Sequence, residues 1–592
     1  MAAPVTDLSA MALIGNCQYS ALIDRWGAVV WCCLPRFDAP PVFGALLDPH
    51  GGRFVVSAAD GAPGTQRYID NTNVLETTIA TPDGRFRIRD CAPRFEQHGR
   101  MFRPTMLIRE IEPLEGAPRI VVRCAPVQGW SKTPAPETHG SHHIRFDGFG
   151  TDLRVTTDIP LAYLDGQPFT LTAPQRLVLT WGEAPEEALE PMCARFVSAT
   201  IRHWQRWVKQ CNIPPSYQQE VIRSALALKL HCYEDTGAII ASCTTSIPEA
   251  PGSGRTWDYR YCWMRDAYYV VDAFRLLGQF DEREMFINYL LNIAGGQADL
   301  ALAPLYTVSG TLPAPEYIAT DWAGFNGDGP VRVGNAAMAH QQHDIFGELV
   351  LALAPVFFDE RFSAERSPAT LDLLMRLARR AIALAGTPDT GIWEYRTAPV
   401  PQTFSSVMCW AAADRAAMVA ERHRPADEPA LREAAAKIQR EIFSRAWSAE
   451  RQSLVGSYDG SGLDASLLQM APLRIVGPDD PRLRSTVDSI WKNLSHNGWL
   501  MRYSEDDGFG KPTVAFTLCT FWLIEALATL GRTSEARDLM STVAASLTPL
   551  GLMSEDFDTA TGLMSGNFPQ AYSHVGFIRA AFAAAPAWRE VL

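Results

Sequence analysis

Two glutamates stand in unlike surroundings: Glu394 in Gly391-Ile392-Trp393-Glu394-Tyr395-Arg396, and Glu555 in Met553-Ser554-Glu555-Asp556-Phe557-Asp558. The first is set among aromatic residues. The second opens an acidic stretch that runs on to Gly566-Asn567-Phe568-Pro569-Gln570. An apolar setting raises a carboxyl pKa and keeps a proton available; a polar setting leaves a carboxyl ionised and able to accept one. On this reading the proton sits on Glu394, and Glu555 is the ionised partner. Cleavage of a glycosidic bond needs such a pair. In a chain with 66 acidic residues, the pair carries weight only through what surrounds it.

Those surroundings are loops between predicted helices. From residue 217 onward, apolar residues recur at helical spacing. The spacing predicts helices over 217–233, 265–277, 282–293, 336–353, 371–385, 407–420, 428–446, 515–530, 535–547 and 571–585. The connecting loops carry Trp257-Asp258-Tyr259-Arg260-Tyr261-Cys262-Trp263-Met264-Arg265-Asp266, then Asp321-Trp322, then Gly329-Pro330-Val331-Arg332-Val333-Gly334-Asn335, then Trp393-Glu394 and Arg502-Tyr503. Loops on a rigid scaffold are where sites are built. Consecutive helix pairs around one core imply an all-α (α/α)6 toroid, although periodicity alone also allows a helical solenoid.

The first part of the chain differs. Residues 21–31 predict strand, turn, strand, and 106–111 and 119–124 are β-branched runs. Segments 170–173 and 176–181 predict a hairpin around Pro174-Gln175. Many short strands with regular turns imply an antiparallel β-sandwich. Leu189, Cys193, Phe196, Ile201, Trp204 and Trp207 then mark a linking helix. The predicted division is a sandwich over 1–182, a helical linker over 183–214 and a helical domain over 215–592.

Composition excludes several classes. The net charge is −13 with no basic run, which argues against nucleic acid as a partner. No stretch of 18 apolar residues predicts a membrane span, and the first residues have no leader pattern. Twelve scattered cysteines read as free thiols in a cytoplasmic protein. His340 and His343 invite a metal reading, but no acidic residue completes a zinc signature. No metal or organic cofactor is expected.

The long motifs resemble glycoside hydrolase family 15, the glucoamylase and bacterial trehalase family, over residues 252–592. They are 257–267, Ile392-Trp393-Glu394 with Arg396, Val407-Met408-Cys409-Trp410, and Ser554-Glu555-Asp556. Residues 1–180 resemble the trehalase-like domain that precedes the catalytic domain in bacterial members. The resemblance implies that Glu394 is the general acid and Glu555 the base that activates water. It also implies that Trp263, Arg265, Asp266, Trp322, Arg332, Trp393 and Arg502 bind the sugar, with Trp322 as a stacking platform. The implied reaction is inverting hydrolysis of a terminal α-glucosyl unit, for which the carboxyls stand roughly 6.5–9.5 Å apart to admit water. A carbohydrate is then the partner, and self-association stays open.

The chain departs from the family at Tyr395, where many glucoamylases carry a second glutamate, and at Ser406 and Thr513. These departures leave the substrate undecided between starch ends, isomaltose-type linkages, trehalose and other α-glucosides. Two rivals remain. An inverting disaccharide phosphorylase would need no carboxylate base, and a non-catalytic sugar-binding protein would need neither glutamate.

Overall fold

The computed structural model describes residues 7–295, 297 and 299–592. The stretch 1–6, read above as part of a leaderless start, lies outside the described residues. The N-terminal part is sheet-rich. One antiparallel sheet runs Met11–Gly15, Ser20–Asp24, Ala28–Cys33, Arg53–Ala58, Arg119–Ala125, Phe169–Thr170, with Pro41–Phe43 paired at its side. A second has eight strands, among them Leu75–Thr81, Gly84–Cys91, Met106–Gly116, Leu153–Thr157 and Gln175–Trp181. Ile14, Phe54 and Val56 of the first sheet share one buried cluster with Ile88, Ile111 and Leu179 of the second.

The expected hairpin over 170–181 does not form. Phe169–Thr170 pairs with Arg119–Ala125, while Gln175–Trp181 pairs with Met106–Gly116 and Leu153–Thr157. Pro174 lacks the N–H that a tight hairpin ladder would use, and the chain crosses there between the sheets.

The rest is helical: α1 (Leu189–Lys209), α2 (Gln218–Lys229), α3 (Met264–Leu277), α4 (Asp281–Ala294), α5 (Asp344–Leu353), α6 (Pro368–Leu384), α7 (Thr403–His423), α8 (Glu428–Arg445), α9 (Met470–Leu473), α10 (Pro481–Leu494), α11 (Thr517–Thr529), α12 (Thr533–Ala544) and α13 (Ala571–Ala584). Leu189, Cys193 and Phe196 of α1 pack on Cys91, Ile108 and Val178 of the second sheet. In the helical part α3 packs on α5, α5 on α7, α7 on the turn 465–469 that leads into α9, that turn on α11, α11 on α13, and α13 back on α3. The chain of neighbours closes. Its helices are mostly buried, and α11 buries every residue from Thr517 to Leu527.

The predicted helix over 336–353 is broken. A short 3-10 turn, Ala336–Ala339, ends at His340, and α5 starts only at Asp344. The His343 N–H donates to Asp389 Oδ2 at 2.9 Å, and Thr390 N–H donates to Gln341 O at 3.0 Å. Backbone groups that would continue the helix instead hold the loop leading to Glu394. The two histidines therefore do not share a helix face.

The two parts meet over a polar and aromatic interface. Trp31 Nε1 donates to Cys243 O at 2.8 Å, Arg260 Nη1 to Ala39 O at 2.7 Å, and Arg94 forks onto Glu234 at 2.5 and 2.7 Å. All twelve cysteines are free. Among the described residues no helix is long and apolar enough to cross a membrane.

Candidate active site

Inner helix α3 has Trp263 at its N-cap, α11 has Phe516 and α13 has Gln570. All three residues line one cavity. The cavity thus faces the positive ends of helix dipoles, which favour carboxylates. Its buried side carries Arg265, Asp266 and Tyr572; its more open side carries Trp257, Arg396 and the exposed Phe509.

Glu394 lines this cavity from the loop before α7. Its backbone is left-handed, φ 59°, a conformation that costs a non-glycine residue about 1–3 kcal/mol and persists where its surroundings enforce it. Glu394 N–H donates to Gly391 O at 3.2 Å and Tyr395 N–H to Thr390 O at 3.0 Å. The carboxylate Oε1 accepts from Trp263 Nε1 at 2.8 Å and Gln342 Nε2 at 3.1 Å, with Arg265 Nη2 at 3.5 Å. Burial alone would raise this carboxyl. The Arg265 charge, then His340 and the Trp263 and Gln342 donors, hold it below the usual glutamate value.

Glu555 lies just behind the cavity wall and is only 1% exposed. Oε1 accepts from Tyr259, which does line the cavity, at 2.8 Å, and Oε2 accepts from Asn567 N–H at 3.4 Å. Gly566 makes room: a Cβ there, at φ +74°, would stand 2.8 Å from Glu555 Cβ. Burial and then the Glu249 charge push the Glu555 carboxyl up to about 8, against the Tyr259 hydrogen bond and the Arg502 charge. Both directions run against the sequence expectation: burial and the Glu249 charge raise Glu555, while the Arg265 charge holds Glu394 low. The acidic letters around Glu555 do not make its setting polar, because the fold buries them. Asp556 is itself 1% exposed and raised by burial.

Tyr259 and Trp263 are edge-to-face neighbours, ring centroids 5.4 Å apart. Each donates to one of the two glutamates, so a single loop aims both. Arg265 Nη1 donates to Gln342 Oε1 at 2.6 Å and Nε to Tyr572 Oη at 3.1 Å. Asp266 Oδ2 accepts no hydrogen bond and stands 3.7 Å from Arg265 Nε, and burial pushes the carboxyl up to about 7 against the Arg265 charge. Across the cavity Arg502 pairs with Glu249, and Arg255 forks onto Asp507 at 2.8 and 2.6 Å. Trp393 lines the wall, its Nε1 on Asp464 Oδ1 at 2.9 Å.

Five of the seven predicted sugar-binding residues therefore meet at this cavity: Trp263, Arg265, Asp266, Trp393 and Arg502. Two do not. Arg332 lies behind Trp257, 5.2 Å over its ring, and pairs with Glu316 at 2.8 Å. Trp322 faces the sheet-rich part. Its Nε1 donates to Trp130 O at 2.9 Å, its ring lies 5.2 Å from that of Trp130, and Gly44 and Gly51 close over it. Placed there, it ties the helical part to the sheet-rich one and does not line the cavity. Trp322→Ala is expected to lower stability by about 3–5 kcal/mol while KM stays within about twofold. Thermal unfolding and initial rates check this, and a KM rise of tenfold would return Trp322 to the substrate.

Sequence reasoning missed Tyr259, Glu249, Gln342 and Tyr572. Tyr259 sat inside a recognised motif, where a hydroxyl next to two indoles was the available signal. The departures also find places. Ser406 is buried in α7 with Oγ on Gln402 O, and Thr513 is exposed, so neither lines the cavity.

A model of glycosyl hydrolases family 15 matches residues 215–582, and one of the trehalase-like N-terminal domain matches 2–149. A trehalase of Mycobacterium tuberculosis is 31% identical over 614 residues, covering 98% of this chain and 89% of that protein. A trehalase of Thermoplasma volcanium is 30% identical, covering 96% and 92%. A bacterial glucoamylase solved with acarbose has the same fold: TM-score 0.69 at 16% identity, covering 98% of this chain and 94% of that one. The fold is thus glucoamylase-like, with a sheet-rich N-terminal domain and a helical C-terminal domain, and the chain is a glycoside hydrolase that belongs to glycosyl hydrolases family 15.

Proposed function

We propose that this protein hydrolyses α,α-trehalose with inversion, acting on the terminal α-glucosyl unit. Glu394 protonates the glycosidic oxygen and Glu555 deprotonates the attacking water. Arg265, Asp266 and Arg502 hold the hydroxyls, and Trp263 and Trp393 supply apolar faces. The observation that carries this reading is the pair of glutamates held by neighbouring aromatic donors of one loop, at a cavity whose buried side offers Asp266 Oδ2 without a hydrogen-bond partner. The relatives named trehalase across nearly the full chain lean the substrate toward trehalose. The wider architecture goes with it: a β-sandwich over 1–182, a helical linker over 183–214, and an (α/α)6 toroid over 215–592, supported by the closed circuit from α3 to α13. Free thiols fit a cytosolic workplace.

The proton must change partners when substrate binds. A glucose ring in the cavity seals Glu394 from water and engages Arg265, and both effects raise Glu394. Hydrogen bonds from the attacking water to Glu555 favour its ionised form. The pair as a whole needs one proton. Activity in kcat/KM is therefore expected to fall below the depressed Glu394 value, where a second proton adds, and above about 8, where the shared proton leaves. Tyr259→Phe removes a donor to ionised Glu555 and should move the alkaline limb upward. A limb that stays in place or moves down would contradict the Tyr259 role.

The substrate is tested by incubating the protein with trehalose, maltose and isomaltose, with and without inorganic phosphate. Glucose from trehalose without phosphate supports the proposal. Glucose from maltose alone would replace trehalose with a starch-type substrate. Sugar phosphate formed only with phosphate would replace hydrolysis with phosphorolysis.

A further inference from the structure

Glu555 is held at both carboxylate oxygens, and each hold leads back to the sheet-rich domain. On the Oε1 side stands Tyr259, next in sequence to Arg260. Arg260 is 1% exposed, and its side chain points away from the cavity into the other domain. Its Nη1 donates to Ala39 O at 2.7 Å, and its guanidinium lies 5.3 Å over the ring of Trp130. Asp258 fixes the same guanidinium through Nε at 2.9 Å and Nη2 at 2.7 Å. Asp258 Oδ2 also accepts from Gly334 N–H at 3.2 Å. Residues 258–260 are thus tied to the N-terminal domain on one side, while Tyr259 touches Glu555 on the other.

The Oε2 side has its own route. Trp31 is a buried residue of the first sheet, and its indole donates to Cys243 O at 2.8 Å. The next residue, Thr244, donates through Oγ1 to Asn567 Oδ1 at 3.0 Å and accepts from Phe568 N–H at 2.9 Å. Asn567 N–H is the donor to Glu555 Oε2, and Asn567 O accepts from Glu555 N–H at 3.1 Å. Ser242 N–H donates to Tyr259 O at 2.9 Å and joins the two routes.

We infer that the N-terminal domain is a working part of the active site: it aims Glu555 through two arms, Arg260–Tyr259 and Trp31–Cys243–Thr244–Asn567. Arg260 and Trp31 are positioning residues, since neither lines the cavity. A general base acts only within hydrogen-bond reach of its proton, and a site left loose by about 1 Å loses much of its rate. This domain supplies the stiffness that a loop cannot. The inference rests on the reading of Glu555 as the base.

The test uses the full-length protein. Arg260→Gln should lower kcat by ~10- to ~100-fold with KM within about twofold, and Arg260→Lys should restore part of the loss. In a Tyr259→Phe background Arg260→Gln should lower kcat less than about twofold further, because coupled residues are not additive. Trp31→Phe keeps an aromatic ring but loses the indole donor, and its effect should persist in that background because its arm reaches Glu555 Oε2 without the Tyr259 hydroxyl. Amide exchange, which needs no substrate, should quicken in segments 255–263 and 553–568 in both single variants. Full additivity of Arg260→Gln with Tyr259→Phe, or unchanged exchange in both segments, would overturn the inference. If Arg260→Gln does not fold, Arg260→Lys and Trp31→Phe carry the same comparisons. Wild-type protein inactive on every α-glucoside would instead sink the functional reading, and the exchange result would still decide the brace.

Discussion

Glu555→Gln is expected to lower kcat by about 10²–10⁴-fold, the range of general acid–base catalysis, with KM little changed. The amide keeps the shape: its oxygen can take the Oε2 place and accept from Asn567 N–H, while its NH2 takes the Oε1 place and donates to Tyr259 Oη. What is lost is the group that takes the proton of water. Because wild-type Glu555 is buried and raised to about 8, removing its charge does not strip the protein of a favourable ion pair. Stability near pH 7 should therefore hold or rise. The sign follows from linkage: a raised carboxyl favours folding least at high pH, where the buried group must ionise. Thermal unfolding at pH 6 and pH 9 checks this, with the variant expected to gain most on wild type at pH 9. Glu394→Gln should lose activity on a similar scale. Equal activity of Glu555→Gln and wild type would remove Glu555 from the mechanism.

Arg265→Gln should be the most damaging change to the fold at the site. Arg265 is 5% exposed and is the cation nearest three carboxylates: Glu394 and Asp344 at 3.5 Å and Asp266 at 3.7 Å. Glu348, one turn beyond Asp344 on α5, is fully buried and also feels its charge. Breaking a buried pair by removing one partner costs about 3–5 kcal/mol. Glu394 is depressed in the fold, so in wild type it contributes stability above its unfolded pKa that is lost as pH falls through its folded value. Without Arg265 the carboxyls rise, and the variant should lose stability as pH rises above about 5. Its deficit against wild type should be larger at pH 7.5 than at pH 5. A deficit that is flat with pH would mean that Arg265 acts through packing and not through charge. The variant should also move the acid limb of kcat/KM upward, as Glu394 loses its counter-charge.

Much of this was legible in the letters, and the limits are physical. Motif 257–266 announced itself through aromatic and charged residues that no loop needs for folding. Trp263, Arg265 and Asp266 fall into place because helix α3 begins there and fixes them on successive positions. Long helices buried on most sides, such as α7 and α11, were plain. Helix α10 was missed although its buried Leu483, Val487, Ile490 and Leu494 recur at helical spacing, because the residues between them are mostly polar. Its signal lay in Asp480-Pro481, an N-cap followed by a proline at the first helical position.

Partners far along the chain could not be read. Tyr259 meets Glu555 across 296 residues, and Trp322 meets Trp130 across 192. Local letters gave Glu555 an acidic, solvated look, and the family resemblance made Trp322 a sugar platform. Tertiary burial reversed both. The break before α5 belongs to the same class, since it is set by Asp389, 46 residues beyond His343, and by Thr390, 49 beyond Gln341.

The most direct measurement is proton NMR of the anomeric signals in the first minutes of trehalose hydrolysis, wild type beside Glu555→Gln. Inversion at one ring gives β-glucose from that ring, while the other ring leaves as α-glucose. The account predicts equal early α and β signals from wild type, before mutarotation, and neither from the variant. Early signals that are almost wholly α would mean retention, with a glutamate acting as nucleophile, and would contradict a mechanism in which Glu555 activates water.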